Sequence, residues 1–496
     1  MADKTYVAVD LGASSGRHVL GRLDGERLTL EEVYRFENGG VEVNGSLYWN
    51  LLGLWSHIRT GLRAAAEKAG GEVTAVGVDT WGVDFGLLGP NDELLGNPYM
   101  YRDSRTEGML EKACEMVGRE EIFRHTGLQF MPINTLYQLL SMKLANSKVL
   151  EIAEQFLMIP DLLNWLLTGQ KCNEMTDAST SQCYNPQTGT WATDLLEKLG
   201  LPTHIFGTIQ QPGTDLGPLR ANLAEEFGLP GTHVILPGAH DTASAVAAVP
   251  AASRPGEAPD WCYISLGTWA LMGIESPKPV VNDQVFARNF TNEGGVDNTT
   301  RLLKNITGLW LLQECRRVWN QSGKNWDWED LNRLSAEATP RVSLIDPDAP
   351  EFMAPDDMPE TIRAYCQKTG QTVPADEGAV LRCALDSLAL KFRHVLSMCE
   401  DLAGRRIETV HVVGGGTRNR QLCQAGADAC GRRFVAGPIE ATATGNILVQ
   451  AIAAGQIGSL ADARQIVRRS FEVEEYAPRD TAAWDEAYER FLKLVG

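Results

Sequence analysis

The sequence predicts an α/β protein of two lobes with related architecture, each a mixed sheet flanked by helices. Three observations carry this prediction. The chain opens with strand, turn and strand across residues 6–23. A degenerate copy of that opening recurs across 261–273. A long helix with an apolar stripe then runs into a strand that breaks at Gly414-Gly415-Gly416. Residues 1–249 are assigned to the first lobe, 261–496 to the second and 250–260 to a linker. A ligand is expected in the cleft between two such lobes.

The elements follow in order. Tyr6-Val7-Ala8-Val9 is a short apolar, β-branched run ending at Asp10, and Leu11 to Gly16 is turn-rich. Residues 17–23 and 28–36 read as two more strands, with Asp24-Gly25 as the hairpin turn between them. Leu51, Leu54, Trp55, Ile58, Leu62, Ala65 and Ala69 recur at helical spacing, and Gly70-Gly71 ends that helix. Residues 73–78 are a near-continuous apolar strand that reaches Asp79. The run from Pro250 to Asp260 is rich in Pro and Ala and is the clearest linker. Beyond it, residues 261–266 and 269–273 read as two strands around a Gly267-Thr268 turn. Leu381, Ala384, Leu388, Phe392, Val395, Cys399 and Leu402 stripe a long helix that leads to the strand at 409–413.

Composition narrows the function. Among 496 residues, 45 Lys and Arg face 64 Asp and Glu, a formal net charge of −19. That balance repels phosphate backbones and anionic lipid, so neither nucleic acid nor a membrane is an expected partner. It does not oppose a small phosphate-bearing ligand, which a Gly-rich turn holds through backbone N–H groups. The 10 Cys include no Cys-x-x-Cys pair and read as core thiols of a reducing, cytoplasmic protein, with Cys366 and Cys383 able to pair under oxidation. The first residues lack the apolar stretch of a signal peptide, and no apolar run reaches membrane-spanning length. The 8 His show no metal-ligand spacing, so a transition-metal site is not expected.

Several segments have the composition that phosphate and sugar chemistry needs. In Asp10-Leu11-Gly12-Ala13-Ser14-Ser15-Gly16-Arg17, small residues let the backbone approach a polyphosphate, Ser14, Ser15 and Arg17 add donors, and Asp10 can hold a cation through water. An ordinary hairpin turn has the same composition. Ser265-Leu266-Gly267-Thr268 offers hydroxyls to outer phosphates, or is a plain turn. The Gly414-Gly415-Gly416 junction permits close approach of a nucleoside or phosphate, or a tight turn. Asp241, in His240-Asp241-Thr242, can accept the proton of an attacking hydroxyl, or cap the Ala-rich helix that follows, and the two roles are compatible. Asp79-Thr80-Trp81-Gly82-Val83-Asp84 suits a sugar, with the ring stacked on Trp81, or packs Trp81 into the core. Tyr101-Arg102-Asp103-Ser104-Arg105 reads by default as a solvated loop.

The order of these segments is more specific than any one of them. The chain resembles the FGGY carbohydrate kinases, and so the actin and hexokinase ATPase fold, over nearly its whole length. Asp79 to Phe85, Tyr101 to Arg105, His240 to Ala245, Lys304 to Gln313 and Glu440 to Asn446 are similar to the rhamnulokinase branch in particular. That resemblance implies ATP- and Mg²⁺-dependent phosphorylation of a small ketose, L-rhamnulose, at its 1-hydroxyl, with L-fuculose, xylulose or a related polyol as the alternative. A non-catalytic nucleotide- or sugar-binding module of the same fold is a further alternative, which the retained Asp241 disfavours. Carried over by position, Ala13, Ser14, Ser15, Gly16 and Arg17 bind ATP phosphates, and Thr268, Gln313 and Gly415 complete the nucleotide site. Gly82, His240, Asp241, Thr242 and Asn305 contact the sugar, and Asp241 is the proton acceptor. The chain departs from the branch where Gly426 precedes Cys430, so the local Cys pair found there in some members is absent.

Overall fold

A computed structural model describes residues 4–252 and 260–495 of the 496. The expected linker at 250–260 falls largely on residues 253–259, outside the described residues. In chain order the elements that build the two sheets begin with β1 (Lys4–Leu11), β2 (Ser15–Leu23), β3 (Leu28–Glu37), α1 (Leu51–Ala69) and β4 (Ala75–Thr80). After an insertion of helices and short strands come β5 (Asp215–Pro218), β6 (His233–Ile235) and α2 (Asp241–Ala247). The later part contains β7 (Trp261–Leu266), β8 (Trp269–Ser276), β9 (Thr291–Gly294), β10 (Thr300–Thr307), α3 (Trp310–Gln321), α4 (Glu377–Ala403) and β11 (Thr409–Val413). Then come α5 (Arg420–Cys430), β12 (Arg433–Ala436), α6 (Ala441–Ala453), α7 (Leu460–Ser470) and β13 (Glu474–Tyr476), before a last helix over Ala482–Leu492. No helix among the described residues is long and apolar enough to cross a membrane.

The first sheet has the order β5-β6-β4-β1-β2-β3. β1 to β3 form an antiparallel meander, β1 and β6 flank β4 in parallel, and β5 is antiparallel to β6. The second sheet runs β10-β8-β7-β11-β12-β13, with β9 beside β10. Here β8 is antiparallel to β7, β7, β11 and β12 are parallel, and β13 is antiparallel to β12. Outward from β1 through β4, β6 and β5, and from β7 through β11, β12 and β13, the strands run parallel, parallel, antiparallel, and the strand on the other side, β2 or β8, is antiparallel. The repeat read at 261–273 is therefore a repeat of topology as well as of sequence.

Contacts divide the chain into two compact units that are discontinuous in sequence. The first takes the described residues of 1–257, 275–302 and 441–471, and the second those of 258–274, 303–440 and 472–496. In the first unit, Val7, Val9, Val76 and Val78 are fully buried beneath Leu54, Ile58 and Leu62 of α1. These strands are covered on both faces, which is why they read as continuous apolar runs rather than as alternation. The Asn50 side chain accepts from Gly53 N to cap α1, and Gly70 ends it at φ 65°.

α6 closes the first unit over β1, β4 and α2. A Cβ on Gly445 would lie 1.7 Å from the Ser244 carbonyl oxygen of α2, so only glycine permits this crossing. Asn446 Nδ2 donates to Asp79 Oδ2 at 2.5 Å and to the Gly77 carbonyl at 3.1 Å, and Gln450 Nε2 donates to the Val7 carbonyl at 3.0 Å.

Candidate active site

In the first unit, sheet register brings three carboxylates to neighbouring strand ends. Asp10 at the end of β1 faces Asp79 of β4 in parallel register, and the next residue, Thr80, bridges His240. Thr80 N donates to the Ala239 carbonyl at 2.8 Å, so Asp241 follows directly from the strand edge. The carboxyl ends of parallel strands are where open α/β sheets bind ligands. Asp79 is fully buried, and burial and the Asp10 charge push its carboxyl well above the usual range against the pull of the Asn446 amide. Asp241 keeps 32% of its side chain exposed. Its carboxyl is also raised, first by desolvation and then by Asp10, while His240 opposes the shift.

Asp241 is the first residue of α2, and His240 occupies the cap position. The expectation that Asp241 is the N-cap is therefore corrected. Its carboxylate Oδ1 accepts from Thr242 Oγ1 at 3.0 Å, and the helix dipole still favours a negative group there.

The turn between β1 and β2 is pinned from within. Gly12 N donates to the Ser15 carbonyl at 2.9 Å, and Asn38 Nδ2 to the Gly12 carbonyl at 2.8 Å. Ser14 is exposed at the tip, with Ala13 and Ser15 half-buried beside it. Arg17 holds Asp10 through Nε at 2.9 Å and Nη2 at 2.7 Å, both on Oδ2. Gly16 is buried, and a Cβ there would lie 2.2 Å from Phe36, which gives this glycine a packing role.

The loop after β4 is backbone-strained and tightly held. Val83, a β-branched residue, sits at φ 71°. Its N–H donates to Thr180 Oγ1 at 2.9 Å, and its carbonyl accepts from Thr135 Oγ1 at 2.6 Å. A Cβ on Gly82 would meet Thr180 Oγ1 at 2.8 Å. Trp81 is core: it is 5% exposed, lies 4.0 Å from Trp49 by ring centroids, and shares Asp84 Oδ2 with the Trp49 indole. The ring face that a stacked sugar needs is covered. Tyr101 and Asp103 are likewise buried, and Arg105 stacks 3.9 Å over Tyr99, so that segment is not a solvated loop.

Sequence reading passed over a polar run, Asn173 to Gln182, that is buried throughout. Glu174 Oε2 accepts from Thr176 N, Thr176 Oγ1, Asp177 N and Ala239 N, and Thr176 Oγ1 accepts from His240 N at 3.1 Å. The backbone that carries His240 and Asp241 hangs on these two side chains. Burial lifts the Glu174 carboxyl to about 7. A signal existed, namely a run of Ser, Thr, Asn and Asp too long for a turn.

The second unit gathers its own set. Thr268 Oγ1 donates to Gln313 Oε1 at 3.1 Å. The start of α3 docks on the β7–β8 turn, with Leu309 N donating to the Gly267 carbonyl and Trp310 N to the Thr268 carbonyl. Gly308 allows this, since a Cβ there would be 2.6 Å from the Trp269 backbone. Gly414, at φ 91°, and Gly416 pack on Leu266, while Gly415 between them is exposed with open space at its Cβ position. Asn305 lies half-buried on β10. Thr268, Gln313 and Gly415 thus stand around one group of strand ends. The Cys366 and Cys383 sulfurs lie 4.0 Å apart as free thiols. Gly426 faces Phe434, whose ring a Cβ there would meet at 2.6 Å.

The chain is 44% identical to a rhamnulokinase of Bacteroides thetaiotaomicron, over 99% of each chain. It is 42% identical to a rhamnulokinase of Oceanobacillus iheyensis, over 95% of this chain and 98% of that one. A xylulose kinase structure from Lactobacillus acidophilus superposes with a TM-score of 0.80 at 16% identity, over 99% of this chain and 97% of that one, which is a likeness of fold. Residues 5–248 match the N-terminal domain of the FGGY family of carbohydrate kinases and 262–454 match its C-terminal domain. With both family domains present in order and relatives alike from end to end, the chain belongs to the FGGY family of carbohydrate kinases.

Proposed function

We propose that the chain transfers the γ-phosphoryl group of ATP to the 1-hydroxyl of L-rhamnulose, giving L-rhamnulose 1-phosphate and ADP. The observation that carries the choice of sugar is the 44% identity to a rhamnulokinase across 99% of both chains. Along the sequence, residues 1–249 carry the phosphate turn and all of the sugar residues but Asn305, 261–496 carry the rest of the nucleotide site, and 250–260 link them, while 275–302 and 441–471 pack with the first unit. The protein acts in the cytoplasm, where ATP is available, on small molecules rather than on nucleic acid or membrane.

Ala13, Ser14, Ser15, Gly16 and Arg17 hold the transferring phosphates, and Thr268, Gln313 and Gly415 hold the rest of the nucleotide. Gly82, His240, Asp241, Thr242 and Asn305 hold the sugar. The sugar hydroxyl oxygen bonds to the γ-phosphorus as the bond from that phosphorus to the β–γ bridging oxygen breaks. The electron pair leaves with ADP and the hydroxyl proton passes to the Asp241 carboxylate. A carboxylate raised by desolvation is a stronger base than an exposed one, which suits this role.

Among the described residues, no group of three or more His, Cys, Asp or Glu is arranged to hold a metal ion. That fits Mg²⁺, which is carried by phosphates and water and needs only one or two carboxylates. Asp10 is the carboxylate that would meet it, directly or through water. When bound, Mg²⁺ neutralises charge on the phosphates. The test is ADP release across L-rhamnulose, L-fuculose and xylulose, with Asp241→Asn beside the parent. L-Rhamnulose should give the highest kcat/KM, and the variant should fold and lose roughly 10²–10⁴-fold in turnover. Preference for another ketose, or near-parental turnover in the variant, refutes the corresponding half of the proposal.

A further inference from the structure

His240 is held by more than its backbone. Arg301 Nη2 lies 3.0 Å from His240 Nδ1, and Glu293 Oε2 lies 3.3 Å from the same nitrogen. The other ring nitrogen, Nε2, lies 3.4 Å from Asp241 Oδ1. Arg301 is 0% exposed, donates from Nε to the Gly294 carbonyl at 2.8 Å, and sits 3.2 Å from Glu293 Oε2. β9 and β10 thus present a fixed, charge-compensated pair to one edge of the ring. The charged groups around His240 and Asp241 include this pair, Asp10 with its partner Arg17, Asp79, Asp177 and Glu174.

A guanidinium has only donors and stays charged. Facing it at hydrogen-bond distance, His240 Nδ1 must accept. An imidazole that accepts at Nδ1 is neutral and carries its proton on Nε2. We infer that Arg301 is a positioning residue that fixes His240 as the neutral Nε2–H tautomer. The ring then offers a donor, not an acceptor, on the side of Asp241. That donor orients the carboxylate and leaves its other lone pairs to the sugar hydroxyl. Glu293 favours the opposite tautomer, an Nδ1–H donated to its own carboxylate. Its longer distance and its pairing with Arg301 make it the weaker influence. The inference rests on Asp241 being the base, but the tautomer itself is read without any turnover.

Nitrogen-15 NMR of the full chain labelled at histidine, with His240→Gln to assign the signal, reads that tautomer. At neutral pH, His240 should show a bare Nδ1 and a protonated Nε2. A protonated Nδ1 overturns the inference, whereas failure of the Asp241 assignment would appear only as undiminished turnover in Asp241→Asn. Glu293→Gln should leave the His240 signature unchanged, and a switched tautomer there would transfer the role to Glu293 and refute the proposal. Arg301→Met, checked for folding by circular dichroism, should move the proton to Nδ1. It should also lower kcat by roughly 10²-fold with little change in KM for ATP. A folded Arg301→Met with the parental tautomer refutes it. If that variant does not fold, the parental and Glu293→Gln spectra still decide.

Discussion

Replacing Gly445 with alanine places a methyl group where the backbone of α2 already lies. The new Cβ would stand 1.7 Å from the Ser244 carbonyl oxygen, and ordinary contact begins near 3.4 Å. The obstacle is backbone, so no rotamer change relieves it, and α6 must back away from α2 by about 1.7 Å. Overpacking typically costs 1–3 kcal/mol, and a backbone obstacle belongs at the upper end, about 3 kcal/mol. For a unit of this size that lowers Tm by roughly 4–5 °C. The same movement reaches the chemistry, because Ser244 lies one helical turn beyond Asp241 on α2. A displacement of order 1 Å at a positioning element costs roughly 10²-fold in turnover. Calorimetry and coupled ADP release on Gly445→Ala read both effects. A Tm within about 1 °C of the parent and turnover within about twofold, the ordinary range for a harmless substitution, would refute the argument.

Three further outcomes are expected. Asn446→Ala removes the donor to a buried carboxylate and should cost about 2–3 kcal/mol by chemical denaturation, whereas a loss under about 0.5 kcal/mol would mean that Asp79 is satisfied elsewhere. Arg17→Ala frees Asp10 and removes a charged donor from the phosphate turn, so turnover with ATP should fall well below the parent, and unchanged ATP kinetics would disprove the assignment. Glu174 is held in the fold at about 7 against an ordinary value of 4.5, so the folded state keeps a proton that the unfolded chain releases, and stability falls as pH rises from about 4.5 towards about 7. Glu174→Gln cannot titrate and should flatten the dependence of Tm on pH across that window, and a slope equal to the parent's would show that other buried carboxyls raised by desolvation, Asp79 and Asp84 among them, carry the effect instead.

Local signals in the sequence determined the class of fold, both strand–turn–strand openings and α1. An apolar run ending in Asp10 or Asp79, or a stripe ending at Gly70-Gly71, expresses a backbone preference and a burial pattern within one segment. The turns at 12–16 and at Gly267-Thr268 and the glycine junction at 414–416 were legible as turns for the same reason, since small residues mark a tight backbone wherever the turn stands. Tertiary structure alone decided which side chains serve the site and which fill the core. Trp81 looked suited to a sugar, but its ring is covered by Trp49 and its indole committed to Asp84. Asp241 looked like a cap, but the helix begins one residue earlier than a cap would require. Asn446 bonds Asp79 across 367 residues, and Arg301 meets His240 across 61, with no periodicity or spacing to connect either pair. A residue's own segment records its backbone conformation and whether it is buried. Its partner is chosen by the register of strands and the crossing of helices, and these exist only once distant parts of the chain have packed.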